Sequence, residues 1–227
     1  MVSRVPSHIA IILDGNRRYA KKLGMQPWKG HEFGLNKLEE LFKWCIELGT
    51  KELTLYCFST ENFKRAKNEI NYLFKLFWKE FKKMQGSKTI YKDKIKVNVI
   101  GRMDMFPIKM QNAMKDAMQK SKKNKELVVN FALAYGGRQE IVNAVRKIIK
   151  SNIKTIDENT ITQNLYLKNE PDIVIRPGGE IRTSNFLTWQ SVYSEWFFTD
   201  KLWPEFTKND LKNIIEEFKK RERRFGE

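Results

Sequence analysis

Short apolar segments alternate with helix-forming segments along most of this chain, and this alternation constrains the fold more than any other feature. Each apolar segment has the length of a buried strand, and apolar residues at helical spacing come after the polar or glycine-containing turn that ends it. The segments that predict strands are 8–13, 53–58, 95–100, 127–133 and 172–175, and those that predict helices are 34–48, 69–84, 107–123, 139–149 and 209–223. Such an order is typical of an α/β fold with a mostly parallel central sheet of about six strands and helices on both faces.

The length and the composition predict one domain over residues 1–227, because 227 residues with 41% apolar content can form a single sizeable core. No stretch approaches the ~18 consecutive apolar residues of a membrane span, and no signal peptide is visible, so we expect a cytoplasmic protein. Cys45 and Cys57 are the only cysteines, and we expect both to be reduced packing residues.

The net charge of +16 predicts attraction to nucleic acid, to an anionic membrane face or to phosphorylated substrates. Lysine falls mainly in helical stretches, where a solvated helix face explains it. Arginine clusters in loops, and its planar fork suits bidentate binding of phosphate. The loop arginines are Arg17, Arg18, Arg65, Arg102, Arg138, Arg176 and Arg182.

The loops that follow the predicted strands carry most of the glycine, arginine and small polar residues expected of a site. In an open parallel sheet, ligands bind outside the carboxyl ends of the strands. Glycines let backbone amides approach an anion there, and arginines supply charge. These loops are 14–18, 59–62, 101–102, 135–138 and 176–184. Together they predict a site for one or two diphosphate groups.

Four polar residues in or near these loops each allow a structural and a functional interpretation. Asp14 is the only acid in its loop and could cap a helix, but beside phosphate donors it also suits Mg²⁺. Ser59 and Asn62 could form a turn or contact substrate. His31 could be a satisfied structural histidine or a donor to a phosphate oxygen.

The segment 69–84 is aromatic and apolar on more than one side of the predicted helix. Core burial on two sides explains this, and so does an elongated hydrophobic tunnel for a hydrocarbon chain with a diphosphate head. The chain lacks the glycine-rich nucleotide loops, the zinc-protease motif and the serine-hydrolase elbow, so the corresponding activities have no support.

Nine segments in a fixed order carry a specific resemblance: 8–18, 30–31, 53–62, 135–138, 175–180, 182–187, 193–195, 202–204 and 221–226. With them the chain resembles the cis-prenyltransferases, the undecaprenyl diphosphate synthase family, as a prokaryotic member of archaeal or bacterial origin. The resemblance implies Mg²⁺-assisted condensation of isopentenyl diphosphate onto geranyl, farnesyl or geranylgeranyl diphosphate. It also implies a homodimer that makes a long-chain polyprenyl diphosphate, used as a glycosyl carrier lipid, in peripheral contact with the inner membrane face.

The resemblance also implies roles for individual residues. Asp14 and Glu195 correspond to metal ligands, and Asp14 and Asn62 to catalytic residues. Because a neutral carboxamide is a poor base, we expect Asn62 to orient the substrate while a diphosphate oxygen accepts the proton. The isopentenyl diphosphate site corresponds to Arg176, Arg182 and Ser184, and the allylic diphosphate site to Gly15, Asn16, Arg18 and His31. The further predicted substrate-binding residues are Arg17, Tyr19, Ser59, Thr60, Glu61, Phe63, Arg65 and Thr183.

Three positions depart from the family pattern. Tyr19 and Phe63 stand where many members have Trp, and Pro27 stands where many have Arg, so that Lys29 or Arg17 would have to supply a cation. The tail at 224–226 corresponds to a segment that reaches the isopentenyl site. Two other functions stay open: short-chain cis-prenyl synthesis, and a basic domain that binds nucleic acid with a steep salt dependence. We expect no nucleic-acid partner.

Overall fold

A computed structural model describes residues 5–221 of the chain. Six strands within these residues form one sheet, in the order β3-β4-β2-β1-β5-β6, and every neighbouring pair is parallel. The strands are β1 (His8–Ile12), β2 (Glu52–Ser59), β3 (Ile95–Ile100), β4 (Leu127–Tyr135), β5 (Ile173–Pro177) and β6 (Glu195–Thr199). The predicted α/β fold with a parallel sheet is therefore confirmed.

The helices lie along the chain between these strands and, for the last of them, after β6. They are α1 (Asn16–Lys22), α2 (Gly30–Asn36), α3 (Leu38–Glu47), α4 (Lys67–Met84), α5 (Lys88–Lys92), α6 (Ile108–Ser121), α7 (Gly137–Lys150), α8 (Glu158–Asn164) and α9 (Lys208–Lys220). A short 3₁₀ helix, Thr60–Lys64, follows β2. No helix of the described part of the chain is both long and apolar enough to cross a membrane.

Alternating side chains of the buried strands pack on opposite faces of the sheet, as the period of two requires. Ile9 and Ile11 of β1 belong to a large apolar cluster that includes residues of α3, α4, α6 and α9. Ala10 and Ile12 belong to a smaller cluster on the other face. On that second face Glu140 of α7 accepts hydrogen bonds from backbone N–H groups that lead into β5.

The strand order reverses at β1, and this reversal places the site. The chain passes from β1 to β2 on one side of it, and later returns to β5 on its other side. At such a reversal the connections leave in opposite directions and open a crevice at the carboxyl ends of the strands. The loop after β1 begins with Leu13 and Asp14, and β5 ends with Arg176 and Pro177. Leu13, Asp14 and Arg176 line the crevice.

The structure adds elements that the periodicity did not predict. The helix expected over 34–48 is two helices, α2 and α3, and backbone hydrogen bonds continue through Lys37, which lies between them. Strand β6 and the short helices α5 and α8 were not predicted at all. Each has five to seven residues, too few for a periodic pattern to emerge.

Helix α4 buries residues from two sides of its aromatic surface. Leu73, Phe77, Phe81 and Met84 lie in the core, while Phe74 and Trp78 are half-buried against it. Core burial thus accounts for most of the aromatic excess, and an open tunnel stays a prediction.

Candidate active site

Two adjoining cavities lie at the carboxyl end of the sheet. The first, of about 570 Å³, lies between the ends of β1, β2 and β5, and the second, of about 430 Å³, lies over the start of α1. Their common wall consists of Leu13, Asp14, His31, Arg65 and Arg182. Six cationic side chains line the pair against three carboxylates, which is a charge balance suited to polyanionic ligands.

Asp14 and Arg176 form the centre of this site across neighbouring strands. The Asp14 Oδ2 atom accepts a hydrogen bond of 2.9 Å from Arg176, whose side chain is only 4% exposed. The other arm of the Arg176 fork donates to the Ser184 hydroxyl group at 2.7 Å and to the Arg182 carbonyl group. The Arg176 Nε atom is buried without a partner among the described residues. The guanidinium group is thus held rigidly and keeps one donor available.

The loop between β1 and α1 holds Asp14 through its backbone. Gly15 adopts a φ of +98°, which favours glycine, and its N–H group donates to Asp14 Oδ1 at 2.6 Å. Arg18, one turn into α1, lies 3.4 Å from Asp14 Oδ1 and donates to the Gly178 carbonyl group. Asp14 therefore caps no helix through its side chain, since its contacts are one backbone N–H group and two arginines.

Ser59 and Asn62 form a reciprocal turn at the start of the 3₁₀ helix after β2. The Ser59 N–H group donates to Asn62 Oδ1 at 3.1 Å, and the Ser59 side chain accepts from the Asn62 backbone. The interpretation of these residues as turn formers therefore applies to the Ser59 hydroxyl oxygen and to the Asn62 side-chain oxygen, since both accept hydrogen bonds within the turn. Both residues also line the first cavity, where the Asn62 amide nitrogen makes no hydrogen bond within residues 5–221.

His31 lies in the wall between the two cavities and is electrically neutral. Burial lowers the pKa of its imidazole to about 3, and the positive charges of Arg65 and Arg17 lower it further. Its Nε2 atom is buried and finds no partner among the described residues. An uncharged ring with an unused nitrogen suits a hydrogen bond to a ligand oxygen more than a proton transfer.

The arginines near His31 are held by an acid that the sequence interpretation did not select. Glu69, in the first turn of α4, is almost fully buried and pairs with Arg65 at 3.1 Å and with Arg17 at 3.7 Å. Its position four residues after Arg65, in the first turn of α4, is a signal that could have found it.

The remaining predicted substrate-binding residues divide into two groups. Those that line a cavity with the residues above are Gly15, Asn16, Arg17, Arg18, Glu61, Arg182 and Ser184. Four others lie outside the cavity walls. The Tyr19 ring packs on Phe33, Phe63 joins an aromatic cluster around Phe58, Thr60 lies near Gly136, and Thr183 is exposed.

Glu195 does not lie beside Asp14 within one chain. It is the first residue of β6 and pairs with Ile173, the first residue of β5, so it lies at the amino ends of the strands, whereas the cavities lie at the carboxyl ends. Its carboxylate accepts a hydrogen bond of 2.7 Å from Arg221. The geometry of one chain therefore does not bring Asp14 and Glu195 together at one metal site. The role of Glu195 stays a prediction.

Other cations of the strand-end loops and of the tail have different surroundings. Arg102 pairs with Asp104 on the surface, and the Arg138 side chain is exposed while its backbone N–H group donates to Asn185. The tail residues 224–226 lie outside the described residues. Pro27 and Lys29 form part of a 3₁₀ helix and line neither cavity.

Three further residues line the cavities without having been selected from the sequence. Lys21 lies one turn beyond Arg17 on α1, a spacing that could have indicated it. Asn185 follows Ser184, and both have a positive φ, which no local pattern predicts. Cys57 was expected only to pack, but it also lines the first cavity, where burial raises the pKa of its thiol to about 12.

The donor set fits a Mg²⁺ ion shared with substrate more than an ion held by protein alone. Among residues 5–221 no group of three or more His, Cys, Asp or Glu side chains is arranged to hold a metal. Asp14 offers one partly exposed carboxylate beside the cationic cavities. Since Mg²⁺ is commonly bound by one or two carboxylates and by substrate phosphates, Asp14 is the residue that would hold it here.

Comparisons with known proteins bear on this site. The family described as "Putative undecaprenyl diphosphate synthase" matches residues 12–226. The tritrans,polycis-undecaprenyl-diphosphate synthase (geranylgeranyl-diphosphate specific) of Pyrococcus horikoshii is 50% identical over 98% of this chain and 87% of its own length. The protein of the same name from Methanopyrus kandleri is 46% identical over 98% of this chain and 85% of its own length.

Two solved structures are similar over nearly their whole length. Lavandulyl diphosphate synthase from Lavandula x intermedia, in complex with dimethylallyl diphosphate, has a TM-score of 0.90 and 35% identity. That match covers 98% of this chain and 99% of the other. A probable undecaprenyl diphosphate synthase from Campylobacter jejuni has a TM-score of 0.86 and 33% identity, with 99% and 100% covered.

Proposed function

The chain belongs to the putative undecaprenyl diphosphate synthase family and is a prenyltransferase that elongates cis-prenyl chains, and from this premise we propose its substrates, product and site residues. The substrates are isopentenyl diphosphate and geranylgeranyl diphosphate, and the product is a long-chain, undecaprenyl-like diphosphate. The observation that carries the proposal is the pair of adjoining cationic cavities that share Asp14. Two diphosphates held side by side bring the reacting carbons together, which replaces a bimolecular encounter.

The second cavity suits the allylic diphosphate, which must leave. Arg17, Arg18 and Lys21 of α1 line it, and His31 lies in the wall between it and the first cavity. As the bond between the allylic carbon and its oxygen breaks, negative charge grows on the diphosphate. Preorganised cations and N–H donors stabilise that charge without rearranging.

The first cavity suits isopentenyl diphosphate. Arg176 presents a rigid fork there, and Ser184 and Arg182 lie at hydrogen-bonding distance from it. The double bond of the isopentenyl group attacks the allylic carbon, a new carbon–carbon bond forms, and one proton is lost. The Asn62 oxygen accepts a hydrogen bond from Ser59, which supports our proposal that the Asn62 amide nitrogen orients the substrate. A diphosphate oxygen accepts the proton, because a carboxamide is a poor base.

Asp14 would hold Mg²⁺ in this site. When bound, the ion supplies electrostatic stabilisation of the leaving diphosphate. The contact with Arg176 holds the Asp14 carboxylate in the wall of both cavities.

The choice of primer and the use of the product follow the named relatives. Relatives about 50% identical carry geranylgeranyl specificity in their names, which supports a C20 primer in preference to the C10 and C15 primers. A long polyprenyl diphosphate is insoluble in water, so we propose that it is released at the inner membrane face and serves as a glycosyl carrier lipid. The net charge of +16 favours contact with anionic lipid there.

A homodimer is supported by exposed apolar side chains on α7 and on the edge strand β6. On α7 the side chains of Val142, Val145 and Ile149 are exposed at a spacing of three and four residues. Strand β6, at the edge of the described sheet, also exposes Phe198. An exposed apolar row on a helix and an apolar residue on an edge strand are each typical of a surface that another chain covers.

The direct test is to incubate the purified protein with Mg²⁺, labelled isopentenyl diphosphate and C10, C15 or C20 allylic diphosphates, and to measure product mass. We expect elongation of the C20 primer in preference to the others, and its loss in Asp14→Ala with an unchanged circular dichroism spectrum. Failure to extend any primer would overturn the proposal. Tight, salt-sensitive binding of an oligonucleotide by such an inactive protein would favour the nucleic-acid interpretation instead.

A further inference from the structure

A line of small apolar gaps leads away from the first cavity between the sheet and helices α2, α3 and α4. Leu13, His31 and Cys57 line both that cavity and the first gap. Each gap has a volume of about 10–20 Å³, close to the space that one water molecule needs. The gaps are therefore weak points in the packing along one path.

Shared residues connect each gap to the next. Leu35, Cys57 and Phe77 line both the first and the second gap. Leu35, Glu80 and Met84 line both the second and the third. The path thus runs from the site along α4, whose residues Phe77, Glu80 and Met84 share one face at a spacing of three and four residues.

Glu80 is the only charged residue in the wall of the second gap, among the described residues. The rest of that wall is apolar or sulfur-containing. The third gap adds Glu39 and Lys83, which form an ion pair at 2.9 Å. The apolar path from the site therefore ends at a carboxylate, with a charged pair directly behind it.

We propose that Glu80 determines the length of the product, because it is the polar end of the path along which the growing hydrocarbon chain displaces the loosely packed side chains. This inference rests on the proposed function. It assigns to one residue the point at which the growing hydrocarbon chain stops. Each added isoprene unit gains by burial among Leu35, Phe77 and Phe81. A unit that passed Glu80 would strip water from its carboxylate and from the pair behind it.

The surroundings of Glu80 support this role. Its carboxylate makes no hydrogen bond or ion pair within residues 5–221, so its charge depends on water. Burial raises the pKa of this carboxyl group; Lys83 and Lys79 oppose that change, and Glu39 adds to it. An apolar chain pressed against Glu80 would remove more of that water and find no compensating contact.

The experiment compares product lengths of the wild type, Glu80→Leu, Glu80→Gln and a control, Lys82→Leu. Lys82 is exposed on the same helix and lines no gap, so its substitution adds the same apolar side chain away from the path. Full-length proteins receive Mg²⁺, geranylgeranyl diphosphate and excess isopentenyl diphosphate, and products are analysed by mass spectrometry at matched consumption of isopentenyl diphosphate.

We expect the longest product of Glu80→Leu to exceed that of the wild type by at least one isoprene unit. Glu80→Gln should shift the products in the same direction by less, and Lys82→Leu should match the wild type. An unchanged or shorter product of Glu80→Leu overturns the proposal, and so does a folded variant that extends no primer. If Glu80→Leu does not fold, the isosteric Glu80→Gln decides by the same criteria. Absence of elongation by the wild type would instead refute the proposed function.

Discussion

Arg176 is the residue at which the two halves of the site meet. Its fork joins Asp14 on one strand end to Ser184 and the Arg182 carbonyl group in the loop after its own strand. Because the side chain is nearly fully buried, its geometry is defined by these partners and not by solvent. A shorter or differently shaped cation cannot reach both sides.

We predict that Arg176→Lys lowers kcat/KM for isopentenyl diphosphate by roughly 10- to 100-fold, because about one charge-assisted hydrogen bond worth about 1.5–3 kcal/mol is lost. Steady-state kinetics at saturating allylic diphosphate measures this effect. Arg102→Lys is the matched control, since Arg102 pairs with Asp104 at the surface and lines neither cavity. Equal effects of the two substitutions would contradict the assignment.

His31 connects the site to the pH dependence of stability. The pKa of its imidazole is about 3 in the folded protein, against ~6.5 for a solvated histidine, because it is buried beside Arg65 and Arg17. The unfolded chain therefore binds a proton that the folded chain excludes. His31 therefore leaves the free energy of unfolding unreduced above pH ~6.5 and lowers it progressively as the pH falls towards 3.

The free energy of unfolding of the wild type should fall between pH 7.5 and pH 5.5. We predict that this fall is about 1 kcal/mol smaller in His31→Asn. Urea unfolding at both pH values measures the difference. The pKa of His8 is also lowered by burial, but His8 is present in both proteins and cancels in the comparison. Identical slopes for the wild type and the variant would show that His31 is solvated.

At the scale of elements, the close packing of α2 on the start of α1 positions the second cavity. A Cβ atom at Gly30 would lie 1.8 Å from the Asn16 carbonyl oxygen, and one at Gly34 would lie 2.2 Å from Asn16 Oδ1. The two glycines therefore let the helices approach closely at the residues that begin α1. Trp203 completes this contact by donating its indole N–H group to the Gly34 carbonyl group at 3.0 Å.

We predict that Gly30→Ala lowers the free energy of unfolding by about 2–3 kcal/mol, because the backbone of α1 must move to admit the methyl group. The KM for the allylic diphosphate should rise as well, since Arg17 and Arg18 move with that backbone. Gly86→Ala serves as the control, because no atom lies within 4 Å of its added Cβ. A stability change under ~0.5 kcal/mol in Gly30→Ala would mean that α2 packs less closely.

At the scale of the whole molecule, the cavities and the largest exposed apolar side chains of α7 and β6 lie on different elements. The carboxyl ends of the strands hold the cationic cavities, and the apolar gaps leave them along one face. Helix α7 and strand β6 present an exposed apolar surface elsewhere on the fold. None of these exposed side chains lines either cavity, so we propose that they, and not the cavity walls, meet the second chain.

We predict that Ile149→Glu converts the proposed dimer to a monomer, with about half the mass in light scattering after size exclusion. Ile149 is 65% exposed on α7, on the same side as Val142 and Val145. A charge at this position would be buried if a second chain covered these residues. Ile108→Glu is the matched control, because Ile108 is 68% exposed at the start of α6. If the control dissociates and Ile149→Glu does not, the α7 surface is not the interface.

The sequence by itself determined the α/β class, five of the six strands and the loops that carry the site. Local patterns suffice for these features, since a buried strand and an amphipathic helix each have their own period, and parallel strands must place their carboxyl ends at one edge. Membership of Asp14, Asn62, Arg176 and Ser184 in one site follows from that rule.

Only the tertiary structure decided which of these residues touch. The order of the strands sets β1 beside β5 and brings Arg176 to Asp14, 162 positions away. The parallel register of β6 on β5 places Glu195 at the amino ends of the strands, away from Asp14. It also folds Glu69 under Arg17 and sets Glu80 at the end of the apolar gaps. These contacts depend on burial and on pairing between distant segments, and no pattern within a short stretch of sequence records either.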